Sequence, residues 1–257
     1  MIALLCFLLM AVSPGQQTYE QANKLFVSQK FPEALAAVEE ALRLDPKLVP
    51  AITLKAKLEM AANRYDLAQQ SLERALAIDP KASYAQFLYG MAAYMTNEMK
   101  EARPRFERAR ELAPKDPRAA LYLGLVVESV GDPEEALALY REAVKLDNAA
   151  GKPQAETRLP GARLLMMLGR LDEAEAWLRE AIQLAPKMRD GHFELARLLL
   201  KKGQAAEAAA EGELALSLSE GAIQDSAIHY LLVRAWQQAG KPDRAAQHAG
   251  AIRAQTP

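Results

Sequence analysis

The sequence predicts an all-α chain, a tandem array of helix–turn–helix units, and three observations carry that prediction. Helix ends recur at a fixed interval: Asp45-Pro46, Asp79-Pro80, Ala113-Pro114 and Asp147-Asn148 stand 34 residues apart. Small residues recur in phase with them, in three columns. One is Ala34, Ala68, Ala102, Ala136, Ala174, Ala208 and Ala245; another is Ala41, Ala75, Ala109, Ala143, Ala181 and Ala215. The third is Ala22, Ala56, Gly90, Gly124, Ala162 and Ala196. Between the third column and the first, Asn63, Asn97, Gly131, Gly169, Gly203 and Gly240 mark a turn. A period of this length belongs to stacked two-helix repeats, in which no unit buries its apolar face alone.

In chain order, the first element is an apolar run from Ile2 to Val12. It is too short to cross a bilayer and reads as the apolar part of a secretory signal, with small residues Ser13 and Gly15 spaced for cleavage after Gly15. No Lys or Arg precedes the run, so a buried N-terminal helix stands as the alternative. Cys6 lies inside it, and the chain without the leader has no cysteine, hence no disulfide or thiol chemistry.

The repeats follow. In each, the Asn or Gly of the turn column ends the first helix, because these residues adopt a left-handed backbone at low cost. Phe31-Pro32-Glu33, Asp132-Pro133-Glu134 and Leu171-Asp172-Glu173 then open second helices, with caps, first-turn prolines and acids that suit the helix dipole. The small columns mark where helices cross, since only a short side chain lets two backbones approach. Pro104, inside the second helix of repeat three, predicts a mild bend.

Four extra residues precede Ala185-Pro186, and they fall in the stretch from Asp147 to Pro153. Pro160-Gly161 then lies where the first helix of repeat five should run, so that helix starts late or kinks. The chain therefore divides into a leader (residues 1–15), repeats one to four (16–150) and repeats five to seven (151–257), the last a degenerate cap. A hinge and a tolerated loop in a continuous stack both fit the break.

The period, the paired helices, the small columns and the closing proline resemble the tetratricopeptide repeat family from about Gln16 to Thr256. The resemblance implies a right-handed solenoid whose first helices line a concave, polypeptide-binding groove. On that face Tyr84, Phe87, Met91, Tyr94 and Met95 form one helical stripe suited to an interaction hot spot. The position of Met91 is Asn23, Lys57, Leu125, Arg163, Arg197 and Arg234 in the other repeats. Arg163, Arg197 and Arg234 thus form a basic ladder suited to carboxylates. Glu156, Glu194 and Asp190 are near enough in sequence to neutralise it. The carboxylate clamp of some family members is not carried over: Asn23 matches, but Tyr19, Leu54, Tyr84 and Leu88 occupy the other positions.

Other chemistry is sparse. The 32 Lys+Arg against 33 Asp+Glu leave a net charge of -1, which gives no global field for nucleic acid or an anionic membrane. Of three histidines, His192 and His229 hold one position in adjacent repeats without accompanying ligands and read as packing imidazoles. Trp177 and Trp236 fall in apolar patterns and read as core. No phosphate loop and no convergent nucleophile, base or metal set appears, so neither cofactor nor catalysis is expected. The resulting expectation is a secreted or periplasmic scaffold that binds a protein or peptide, an acidic one where the arginines lie. An envelope-assembly or secretion accessory and a self-associating oligomer are the alternatives. Nucleic acid is not an expected partner, and no membrane span is expected after the leader.

Overall fold

The computed structural model describes residues 13–151 and 153–255, and the apolar run and its reading as a leader lie outside them. Fourteen α-helices fill this range, with one isolated bridge, between Met188 and Glu220, and no strand among the described residues. They fall into two compact units that divide after Pro114.

The first unit holds α1 (Pro14–Val27), α2 (Phe31–Leu44), α3 (Val49–Ala61), α4 (Tyr65–Ile78), α5 (Ser83–Met95) and α6 (Met99–Leu112). The second holds α7 (Pro117–Ser129), α8 (Pro133–Ala149), α9 (Leu159–Met167), α10 (Leu171–Leu184), α11 (Arg189–Lys201), α12 (Ala205–Ser217), α13 (Asp225–Gln238) and α14 (Pro242–Gln255). Within each unit, every helix packs on the next. The first helices of successive repeats also touch, α1 with α3 and α3 with α5 in one unit, α9 with α11 and α11 with α13 in the other.

The small-residue columns are the crossing points. Every alanine in them is fully or almost fully buried. At two crossings the column is glycine for a visible reason: a Cβ on Gly90 would lie 2.8 Å from the Phe106 ring, and one on Gly124 would lie 2.6 Å from the Tyr140 ring. Those rings occupy the space where a Cβ would stand, well inside van der Waals contact.

The turn column is left-handed throughout, from Asn63 (φ 56°) and Asn97 (φ 65°) to Gly131 (φ 94°) and Gly240 (φ 70°). Repeat one does the same with Gln29 (φ 58°), which the residue type does not advertise. A side chain with a Cβ in this region costs roughly 1–2 kcal/mol, so the packing of α1 on α2 imposes it. Of the helix openings, Asp132 caps α8 through its carboxylate, which accepts from the Glu135 amide at 3.1 Å. Asp172 does not cap. It lies in the first turn of α10 and pairs with Lys202 at 2.7 Å. α6 runs through Pro104 without interruption.

The insertion is absorbed in two ways. α8 extends to 17 residues, carrying Asp147 and Asn148 into its last turn. A 3₁₀ turn at Ala155–Thr157 then leads into α9, which starts late and is only 9 residues long. Pro160 sits in its first turn, where no amide donor is needed. Arg158 fastens this region. Its side chain is fully buried and donates to Asp147 at 3.0 Å, to the Gln154 carbonyl at 2.8 Å, to Glu180 at 2.7 Å and to Asn148.

Candidate functional site

The first helices of the second unit present one recess of about 640 Å³, walled by side chains from α7, α9, α11 and α13. Arg163, Arg197 and Arg234 all lie on it, and all three are exposed. The helix period places them there. Arg163 and Arg197 each directly follow a fully buried alanine, Ala162 and Ala196, and Arg234 follows the half-buried Val233 at the equivalent position. Met166, Met167, Phe193, Tyr230 and Leu231 supply apolar surface beside them, with Met167 65% and Tyr230 61% exposed.

Among the acids near in sequence, Glu194 pairs with the ladder. Its carboxylate is almost wholly buried, accepts from Arg197 at 2.7 Å and lies 3.4 Å from Arg163. Burial pushes its pKa up, while Arg197 and Arg163 pull it down. Asp190 is engaged elsewhere, accepting from the Ala222 amide at 3.0 Å. Arg234 has no ion pair among the described residues, and Lys201 donates to the Met166 carbonyl at 2.5 Å. Four cations therefore meet two lining or underlying carboxylates, Glu128 and Glu194, and the Tyr140 hydroxyl already donates to Glu128 at 2.6 Å. The recess carries excess positive charge in a chain whose net charge is -1.

The aromatic stripe on α5 is not a single surface. Tyr84 and Met95 are exposed, and Met91 and Tyr94 are half-buried. Phe87 belongs to the core and not, as the stripe predicts, to a binding surface: it is 5% exposed and its ring lies 5.8 Å from that of Phe106. α5 is flanked by other helices on more than one side, so a stripe that is continuous in helical projection still turns part of itself inward. Phe106, lodged over Gly90, needs an apolar cover, and Phe87 provides it.

The structure does not bring His192 and His229 together. His192 is buried with both ring nitrogens engaged, by Glu211 at 2.7 Å and by the Pro186 carbonyl at 3.0 Å. The Glu211 contact raises its pKa above the ordinary histidine value, burial opposing. His229 pairs instead with His248, nitrogen to nitrogen at 3.0 Å, and burial lowers its pKa. Residue 248 stands 37 positions after Glu211, as His229 does after His192, so the last repeat keeps the contact and changes the acceptor. Trp236 donates to Glu213 at 3.1 Å, and Trp177 covers Gly161. Among the described residues no group of three or more His, Cys, Asp or Glu is placed to hold a metal, and no helix is long and apolar enough to cross a membrane.

Comparison with known proteins accords with this architecture. Three models described as tetratricopeptide repeat match the sequence: one over residues 25–88, 59–124 and 129–187, a second over 97–153 and 159–223, a third over 226–251. No curated protein matches by sequence. Among solved structures, the Cut9 and Hcn1 hetero-tetramer of APC/C superposes with a TM-score of 0.74 at 20% identity, over 86% of this chain and 42% of that one. This chain thus spans less than half of that relative. PilW, a type IV pilus biogenesis factor, gives 0.73 at 22% identity over 82% and 94% of the two chains. YrrB, a TPR protein with an unusual peptide-binding site, gives 0.55 at 22% identity over 70% and 91%. With the repeat models matching more than half its length, on helices and crossings that follow the same period, the chain belongs to the tetratricopeptide repeat family.

Proposed function

We propose that the chain is a non-catalytic, polypeptide-binding scaffold that holds an acidic segment or a terminal carboxylate of its partner in the second unit's recess. The observation that carries this reading is the exposed ladder of Arg163, Arg197 and Arg234 on one recess, with a single buried carboxylate, Glu194, between two of them. Guanidinium groups fork carboxylates, and the adjoining methionine and aromatic surface takes apolar side chains. The test is titration of an acidic peptide at low and high salt. Binding weakens as salt rises, and Arg197→Glu costs more affinity than Arg197→Ala because it adds repulsion to lost attraction. Affinity indifferent to salt and to the sign of charge at position 197 rules the reading out.

Export to the cell envelope is the second part of the proposal, supported by the apolar run Ile2 to Val12 and by the likeness to a pilus biogenesis factor. Cleavage after Gly15 removes Ser13, whose hydroxyl caps α1 by accepting from the Gln16 amide at 3.2 Å. Intact mass of the protein from its host is expected to begin at Gln16. A full-length chain in the cytoplasm refutes export.

A further inference from the structure

The first unit has its own recess, of about 410 Å³, between the first helices α1, α3 and α5. Two lysines, Lys57 and Lys81, line it and no Asp or Glu does. Lys57 is half-buried, and its ammonium lies 4.2 Å from the centre of the Phe26 ring and 5.8 Å from that of Tyr84. Lys55, on the same helix, is paired with Glu59 at 3.7 Å; no carboxylate pairs with Lys57 among the described residues. Cation–π contacts offset part of the desolvation of an ammonium but supply no countercharge. The uncompensated charge is held in place by two rings, and it is complementary to an incoming carboxylate. The Asn23 side chain, exposed on the same wall, offers a neutral donor, while the half-buried Tyr19 and the exposed Tyr84 offer apolar area over the buried Leu54.

We infer that this recess is a binding site in its own right, for an internal segment of a partner polypeptide with an acidic residue beside an aromatic one. The carboxylate sits on Lys57, and the ring packs against Tyr19 and Tyr84. A single held ammonium with apolar side chains beside it suits one side-chain carboxylate within a segment, flanked by an apolar residue. The inference goes beyond the basic recess of the second unit and does not depend on it.

The probe is the blocked peptide acetyl-Gly-Glu-Phe-Gly-amide, titrated into the isotope-labelled full chain and followed by amide NMR. Saturable shifts are expected at the Asn23 side-chain amide and at the backbone amides of Thr53 and Tyr84. Exchanging Glu for Gln in the peptide weakens binding about 10-fold or more, as loss of a desolvated charge pair does. Lys57→Met, which keeps the aliphatic stem, has the same effect, and Tyr19→Leu weakens binding without removing either ring that holds the ammonium. Arg197→Glu leaves the affinity unchanged, which separates this site from the proposed one. An unperturbed amide spectrum away from the substituted helix shows that each variant is folded. The inference is overturned by shifts confined to the second unit, by absence of saturation, or by equal affinity for the Gln peptide. It is also overturned if the free-acid peptide binds about 10-fold tighter than the amide, which makes a chain end the ligand.

Discussion

Arg158 shows how much one side chain decides. A buried guanidinium is costly unless its donors and its charge are met, and here Asp147, Asn148, Gln154 and Glu180 meet all but the Nε group. Asp147 depends on it in turn, being 3% exposed, with the Gln154 amide at 2.7 Å as its other donor. Arg158→Met therefore strands a buried carboxylate and is expected to destabilise the second unit by about 3–5 kcal/mol. Adding Asp147→Leu removes the stranded charge and recovers most of that loss. Hydrogen exchange checks both statements: amides of α8 to α10 open faster in the single variant, and those of α1 to α4 are unchanged because coupling runs between neighbours. Equal exchange in wild type and Arg158→Met contradicts the argument. None of this is legible in the sequence, where Arg158 is one charged residue in an irregular stretch. The arginine ladder is legible, because periodicity places it. Which of three nearby acids neutralises it is not, since that depends on side-chain direction: Glu194 turns inward to the ladder while Asp190 turns to the Ala222 amide.

At the scale of helices, the sequence reports positions and withholds partners. The small-residue columns are readable because they repeat, and all their alanines are buried as the period requires. That Gly90 faces Phe106 and Gly124 faces Tyr140 is not readable in either member alone, though both pairs are 16 residues apart. The equivalent positions elsewhere hold Ala22 with Val38, Ala56 with Leu72 and Ala162 with Leu178, so a larger side chain goes with a smaller neighbour. Gly90→Ala forces the Phe106 ring to move and is expected to cost roughly 1–3 kcal/mol, the usual range for overpacking. Phe106→Leu in the same chain makes the pair resemble Ala56 with Leu72 and recovers part of the loss. Thermal melts of the two single variants and the double variant measure the coupling, and strict additivity refutes the pairing. Two further features escaped the period for physical reasons. Gln29 is left-handed because packing overrides residue preference, and Phe87 is core because a helix with neighbours on several sides has no single inner face.

Over the whole chain, composition says little and arrangement says much. A net charge of -1 conceals two recesses that each carry excess positive charge, one in each compact unit. Family and fold were both legible, since they rest on a long-range period that no local accident erases. The recesses were half legible: the period gives the cationic positions, while the acid-free lining around Lys57 emerges only when three helices are assembled. The glycine notches carry a last consequence. An array of near-identical hairpins is always at risk of assembling out of order, because any second helix resembles every other. Here three second helices present a ring to a glycine of their own first helix, Phe106 to Gly90, Tyr140 to Gly124 and Trp177 to Gly161, where other positions pair an alanine with Val38, Leu72 or Leu178. A tryptophan has no room at an alanine socket, and a valine leaves a glycine socket partly empty. Ring and notch act as an address for these three hairpins, because a ring-bearing second helix fits its own glycine and is refused at an alanine position.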